Sequence, residues 1–299
     1  MKTKERQYII KLESRRSLLA LIASLISLFF AIYAITSALI TQDRNGGNLI
    51  EVFRFFTVIS NIIAAVASSM IIPYAIEGFR KTRFDCPRWT MHFFYVGATC
   101  TTLTMLFTLF IISFVDFSTA FRGHNFYLHL ICPTMILISF FIIESHYKFT
   151  LKDSIICMIP ILVYFCVYLY EAVYIGESNG GWKDMYYVTW IMPIPLSITI
   201  VTTLAIIDTT LLRFIYNKLL DMRVKNFINH LWDKDVHPAE VKMELFGLGR
   251  YMGRFENKYY ATLPLDIISI ISEKYKLTKD ELIKPFMKGM MDSISELDK

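Results

Sequence analysis

The sequence predicts an all-α, polytopic integral membrane protein: a bundle of six transmembrane helices with a C-terminal helical cytoplasmic extension. Hydrophobic residues make up 55% of the 299 residues, only 19% are charged, and the mean hydropathy is +0.44. Soluble domains carry about 25% charge. The charges are also uneven, because 31 of them lie in the first 220 residues and 26 in the last 79. This composition excludes a disordered chain and a disulfide scaffold. The high hydropathy and the small net charge of +5 argue against a nucleic-acid partner.

Six apolar segments are long enough to cross a bilayer. A helix rises about 1.5 Å per residue, so a hydrocarbon core of about 30 Å needs roughly 20 mostly apolar residues. Short polar connectors separate the segments. We therefore predict a transmembrane domain over residues 1–216 and a cytoplasmic tail over residues 217–299. The predicted spans are Ser17–Ile40, Arg54–Ile76, Trp89–Val115, Phe126–Ile143, Ser154–Ile175 and Tyr187–Leu212.

The cations predict the orientation of the bundle in the cell membrane. Lysine and arginine in short flanking loops resist translocation. Twelve of them lie before the first span and in the second and fourth connectors, whereas four flank the opposite ends of the spans. Both termini are therefore predicted to be cytoplasmic. The twelve are Lys2, Lys4, Arg6, Lys11, Arg15, Arg16, Arg80, Lys81, Arg83, Arg88, Lys148 and Lys152, and the four are Arg44, Arg54, Arg122 and Lys183.

Two further patterns concern the membrane interface and the C-terminal tail. Trp182, Tyr186, Tyr187 and Trp190 predict an aromatic belt at the membrane interface. In the tail, apolar residues recur at helical spacing, and Thr278 with Glu281 three residues later predicts a capping box. The tail could bind a cytoplasmic partner or a second copy of the chain, and nothing in it suggests catalysis.

Scarce polar residues within the spans collect near one surface. Thr57 and Asn61, four residues apart, share a face at the start of the second span. The fourth span opens at the same surface, and counting helical rise from both starts places His129 level with Thr57. Asp116, Glu171 and Asp184 are near this boundary as well. A threonine hydroxyl becomes a nucleophile only when a base takes its proton, and a neutral histidine is the usual base near pH 7.

Other interpretations of these residues stay open at this stage. Thr57 could simply bond its own helix, and His129 could pair with an acceptor inside the bundle. His124 and His129 could bind a metal, but no third ligand is evident, and Cys132 could serve as a thiol nucleophile. No metal or organic cofactor is expected.

Two motifs resemble a known family. An aromatic-Phe-Thr-x-x-x-Asn segment opens the second span, at residues 55–61, and a His-Leu-Ile-Cys-Pro segment lies at residues 129–133. With six spans, these resemble the androgen-induced and androgen-dependent membrane proteins over about residues 15–215. The connector at residues 180–186 looks like that of their uncharacterised bacterial relatives. Members of the animal branch are threonine hydrolases of fatty acid esters of hydroxy fatty acids, so the resemblance implies Thr57 and His129 as the catalytic pair.

The resulting functional hypothesis is an integral membrane hydrolase of lipid esters, acting near the outer leaflet on a substrate drawn from the membrane lipids. Asn61 is a candidate donor to the oxyanion, Arg54 a candidate site for a lipid carboxylate, and Glu171 a further candidate contact. The alternative is a non-enzymatic sensor or small-solute transporter whose tail binds a cytoplasmic partner.

Overall fold

The computed structural model describes residues 3–81, 84, 86–143, 148–186, 193–232, 241–242, 245–246, 249, 272–273 and 276–297. These residues form helices and turns and contain no strand. Six of the described helices are long and apolar enough to span a membrane, which confirms the all-α polytopic prediction. The spans, numbered first to sixth from here on, are Ser14–Arg44, Phe56–Arg80, Arg88–Ser118, His124–Ile142, Leu151–Ile175 and Ile194–Arg223.

Three of the six spans combine α-helix with a π-helical turn: Thr108–Ile112 in the third span, Tyr127–Ile131 in the fourth and Leu169–Ile175 in the fifth. Each π turn lies near the end of the bundle where the second and fourth spans begin. The α-helices are Thr3–Arg44, Phe56–Lys81, Arg88–Phe107, Ser113–Phe121, His124–Phe126, Cys132–Ile142, Leu151–Tyr168, Ile194–Trp232 and Lys279–Leu297, with 3₁₀ helices at Leu49–Arg54 and Glu177–Asn179.

The sixth span begins at Ile194, later than the predicted start at Tyr187. The predicted stretch up to Met192 lies outside the described residues, as do Tyr187 and Trp190 of the predicted aromatic belt. Pro193 precedes the helix, and its carbonyl accepts hydrogen bonds from the N–H groups of Leu196 (2.9 Å) and Ser197 (3.1 Å). Proline is well tolerated at a helix start, where its missing N–H would have no partner. Pro193 therefore marks the start of this helix.

Contacts divide the chain into two compact units. The bundle unit comprises Glu13–Glu144 and Phe149–Tyr216. The tail unit comprises Met1–Leu12, Ser145–Lys148 and Asn217–Lys299.

Small and hydroxyl side chains bring the spans of the bundle unit close together. A Cβ atom added to Gly97 in the third span would lie only 3.1 Å from the Cα of Ala64 in the second. Ser27 donates a hydrogen bond to Ser139 (2.7 Å), and Ser139 donates to the Ala23 carbonyl (3.1 Å), which joins the first and fourth spans. Helices in lipid associate through such close contacts and hydrogen bonds, because burial of apolar surface offers little there.

The described part of the tail unit contains the predicted capping box. Glu281 Oε2 accepts the N–H of Thr278 (3.1 Å), and the Thr278 hydroxyl accepts the N–H of Glu281 (3.4 Å). The helix Lys279–Leu297 then buries Leu282, Phe286 and Met290 along one face, as their spacing predicts.

Candidate active site

Thr57 lies in the first turn of the second span. The 3₁₀ helix Leu49–Arg54 precedes it, and the side chain of Asn48 caps that helix by accepting the Ile50 N–H (3.0 Å). The chain bends at Phe55, and the α-helix starts at Phe56. Thr57 is only 4% exposed, so this helix start directs its side chain into the bundle.

His129 meets Thr57 from the fourth span. It lies in the π-helical turn Tyr127–Ile131 and is 9% exposed. Its Nε2 atom is 3.4 Å from the Thr57 hydroxyl oxygen. The equal depth predicted by counting helical rise is therefore confirmed, and the two side chains also face each other.

A main-chain acceptor orients the imidazole. The Nδ1 atom of His129 lies 2.8 Å from the carbonyl oxygen of Ala120. Ala120 lies in the helix Ser113–Phe121, which continues past the end of the third span. Because a carbonyl can only accept, Nδ1 carries a proton, and in the neutral imidazole Nε2 therefore presents its lone pair to Thr57. Thr57 is then the donor and His129 the acceptor, the arrangement of a nucleophile beside its base.

Asn61 joins the two helices that carry this pair. It is fully buried, and its amide nitrogen donates to the Thr57 carbonyl (2.6 Å) and to the Leu128 carbonyl (3.4 Å). Its Oδ1 atom is buried with no hydrogen-bond partner among the described residues. The structure therefore brings Asn61 to the site as a bridge, with its donors directed at main-chain carbonyls.

Two tyrosines hold the start of the second span. The Tyr186 hydroxyl accepts the N–H of Phe56 (2.8 Å), and the Tyr164 hydroxyl donates to the Arg54 carbonyl (2.7 Å). Tyr186 also interacts with Tyr164 and with Thr57. The sequence prediction assigned Tyr186 to an interfacial belt and so missed its place beside the threonine. Its position depends on a turn that no motif marks.

That turn is held by a hydrogen-bonded tyrosine. The Tyr168 hydroxyl donates to Asp184 and accepts the N–H of Tyr186 (3.1 Å). Asp184, noted from the sequence as a carboxylate near this boundary, thus fixes the segment that delivers Tyr186.

Arg54 and Glu171 do not join the pair. The Arg54 guanidinium lies 3.7 Å from the Glu51 carboxylate, and both side chains are partly exposed. Glu171 contributes its carbonyl, which accepts the N–H groups of Gly176 and Trp182 (3.1 Å each). Neither residue lines the cavities that meet at Thr57. Cys132 is fully buried and does not line them either, whereas His124 does line one of them.

Thr57 lines two cavities, one of them almost wholly apolar (the apolar cavity) and the other of mixed lining that includes several polar side chains (the polar cavity). The apolar cavity encloses about 600 Å³ of empty space, part of it open to the exterior, and its other lining residues are mostly aliphatic and aromatic. The polar cavity encloses about 980 Å³ by the same measure and includes His129. Thr57, Ile112 and Tyr186 line both. The apolar cavity includes Phe56, Leu103, Phe107, Ile161, Phe165 and Leu204, and the polar one Thr41, Gln42, Asn45, Asp116, His124 and Asn125.

Among the residues that the structure describes, no group of three or more His, Cys, Asp or Glu side chains is placed to hold a metal ion. Comparisons of the chain with protein-family models, with curated proteins and with solved structures found no match. The family resemblance drawn from the two motifs stays a prediction.

Proposed function

We propose that this protein is an integral membrane hydrolase of lipid fatty-acyl esters, with Thr57 as nucleophile and His129 as general base. The observation that carries the proposal is the 3.4 Å contact between the Thr57 hydroxyl oxygen and Nε2 of His129, the nitrogen that carries no proton in the neutral imidazole oriented by Ala120. Its position between an apolar and a polar cavity suits a substrate with one chain and one polar end.

The reaction would proceed in two halves. Nε2 of His129 takes the Thr57 proton as the hydroxyl oxygen attacks the ester carbonyl carbon, and the tetrahedral adduct then collapses. The bond from the carbonyl carbon to the alcohol oxygen breaks, and the imidazolium gives its proton to that oxygen. In the second half, water attacks the acyl-threonine, its proton passes to Nε2, and the acid leaves as the proton returns to Thr57.

The developing oxyanion would be stabilised by the start of the second span. The N-terminus of a helix carries about half a positive charge, which favours an anion. The Tyr186 hydroxyl, which accepts the N–H of Phe56 and lies beside Thr57, would turn its proton toward the oxyanion when an ester is bound. Asn61 would position Thr57 and leave this task to Tyr186, because its amide nitrogen already donates to two carbonyls.

In the proposed orientation, the protein lies in the plasma membrane with both termini in the cytoplasm. It is supported by the twelve cations at one end of the spans against four at the other. Thr57 and His129 follow the starts of the second and fourth spans, so they would lie toward the outer leaflet. A lipid ester could then reach the site laterally from that leaflet.

Labelling with a fluorophosphonate probe, which reacts with activated hydroxyl nucleophiles, tests the proposal on purified protein in detergent. We expect the wild type to be labelled and Thr57→Ala to be unlabelled, with His129→Ala strongly reduced. Thr101→Ala is the matched control, because Thr101 is another buried threonine whose hydroxyl bonds its own helix at the Gly97 carbonyl (2.9 Å). Equal labelling of all variants, or none of the wild type, would overturn the assignment.

A further inference from the structure

The position of His129 fixes how an ester must lie across the two cavities. His129 lines the polar cavity and does not line the apolar one. In the proposed reaction, its Nε2 must pass a proton to the oxygen of the departing alcohol. The alcohol half of the ester therefore occupies the polar cavity, and the acyl chain extends past Thr57 into the apolar one.

The polar cavity offers hydrogen bonds without a permanent positive charge. Its described lining includes the hydroxyl of Thr41 and the amides of Gln42, Asn45 and Asn125, which are donors and acceptors for hydroxyl groups. No lysine or arginine is found among these lining residues, and the charged side chain present is the carboxylate of Asp116. The imidazoles of His124 and His129 and the phenol of Tyr186 complete the titratable groups that line it.

An anionic alcohol half would be poorly matched to this cavity. Carboxylates and phosphates in proteins are bound most strongly by arginine or lysine side chains. Here a carboxylate faces the same space, and it repels a like charge. The guanidinium that could have met an anion, that of Arg54, lies outside the cavity beside Glu51.

We infer that the leaving alcohol is a neutral polyol, of which glycerol is the simplest, so that the substrates are glyceride-type fatty-acyl esters. This inference rests on the proposed function and adds the substrate class. Esters whose alcohol half carries a free carboxylate or a phosphate are disfavoured by Asp116. The expected preference differs from that implied by the family resemblance, whose substrates have a carboxylate on the alcohol half.

Three oleoyl esters test the inference on the full-length protein in detergent: 1-oleoylglycerol, the oleoyl ester of a hydroxystearic acid, and 1-oleoyl-glycerol-3-phosphate. We expect kcat/KM for the glycerol ester to exceed that for either anionic ester by about tenfold or more, as one like charge in a poorly screened site requires. Asp116→Asn should narrow the ratio by raising turnover of the anionic esters. The side-chain oxygen of asparagine can still accept the hydrogen bond that the Ser118 hydroxyl donates to Asp116 (3.0 Å). Glu177→Gln, an exposed carboxylate outside both cavities, should leave the ratio unchanged.

A binding measurement removes the dependence on catalysis. In Thr57→Ala, the uncleavable ether 1-O-oleylglycerol should raise the thermal unfolding temperature more than an ether analogue that ends in a carboxylate. Equal or better turnover and binding of the carboxylate compounds, in a protein that the fluorophosphonate still labels at Thr57, would overturn the neutral-polyol inference and leave the hydrolase proposal standing. Absence of labelling would overturn the hydrolase itself, and the substrate class would fall with it.

Discussion

The Nδ1 nitrogen of His129 lies 2.8 Å from the carbonyl oxygen of Ala120, nine residues earlier in the chain. This contact selects one tautomer of the imidazole, because the carbonyl has no proton to give. Many catalytic histidines are oriented by a carboxylate. Here a main-chain oxygen performs that task, so the orienting group cannot be removed by changing the side chain of Ala120.

Replacement of His129 by asparagine should separate orientation from basicity. In His129→Asn, the amide nitrogen can take the place of Nδ1 and keep the hydrogen bond to Ala120, whereas nothing takes the place of Nε2. We expect a thermal unfolding midpoint close to the wild type and a fluorophosphonate labelling rate lower by about 10²- to 10⁴-fold, the usual contribution of a general base. An unchanged labelling rate would show that Thr57 does not depend on His129.

Replacement of Asn61 by leucine should weaken the contact between Thr57 and His129. It removes donors to the Thr57 and Leu128 carbonyls in a fully buried position, which we expect to cost about 1 to 3 kcal/mol of stability. Labelling at a temperature where the variant remains folded should also slow, because Thr57 and His129 lose their shared support.

The matched control is Ser68→Ala. Ser68 is buried in the same helix, but its hydroxyl bonds the Ala64 carbonyl of that helix (2.8 Å). A lower melting temperature for Asn61→Leu with an unchanged labelling rate would restrict Asn61 to holding the bundle together.

Removal of the Tyr186 hydroxyl should affect the reaction more than removal of the Tyr164 hydroxyl. Tyr186 contacts Phe56 and Thr57, whereas Tyr164 donates to Arg54, three residues before the nucleophile. We expect Tyr186→Phe to slow labelling about tenfold or more, since a donor to the oxyanion is commonly worth at least that factor, and Tyr164→Phe to slow it less. The reverse order would assign the oxyanion contact to another group.

The tail offers a prediction about pH. Hydrogen bonds from Lys242 and from Thr278 lower the pKa of Glu281 from its ordinary 4.5 to about 2. A depressed carboxyl pKa stabilises the folded state above the unfolded value, and that contribution is lost as the pH falls from about 5 towards 2. Hydrogen exchange in the helix Lys279–Leu297, corrected for intrinsic rates, should therefore increase over that window.

Glu281→Gln should show faster exchange at neutral pH and little further change on acidification. Asp280→Asn is the charge-matched control, because Asp280 lies in the same first turn but outside the capping box. Equal effects of both substitutions would attribute the result to net charge near the helix end.

The six spans, the capping box and the equal depth of Thr57 and His129 could be predicted from sequence because each depends on local pattern. Apolar runs define spans, and helical rise converts residue number into depth. The prediction was less accurate where structure depends on long-range contacts. Tyr186 reaches Phe56, 130 residues away, through a turn tied to Tyr168. The Ala120 carbonyl has no side-chain signature at all.

The direction of the Arg54 side chain could not be predicted from sequence either. A cation at the membrane boundary near the proposed nucleophile Thr57 is a plausible partner for a lipid carboxylate. In the structure, the 3₁₀ helix Leu49–Arg54 turns its guanidinium toward Glu51, one turn earlier. The rotation between a 3₁₀ helix and the α-helix that follows it decides where such a side chain points, and sequence spacing does not reveal that rotation.

The π turns in the third, fourth and fifth spans have an evolutionary consequence. A π turn holds about one residue more than an α turn, so the side chains on its two sides are offset by about 100° relative to a continuous helix. Losing one residue within Tyr127–Ile131 could restore an ordinary helix while the rest of the span kept its contacts. In a related chain, a single deletion could thereby turn the imidazole away from the threonine. Such a chain would keep the membrane scaffold and lose the proposed hydrolase site.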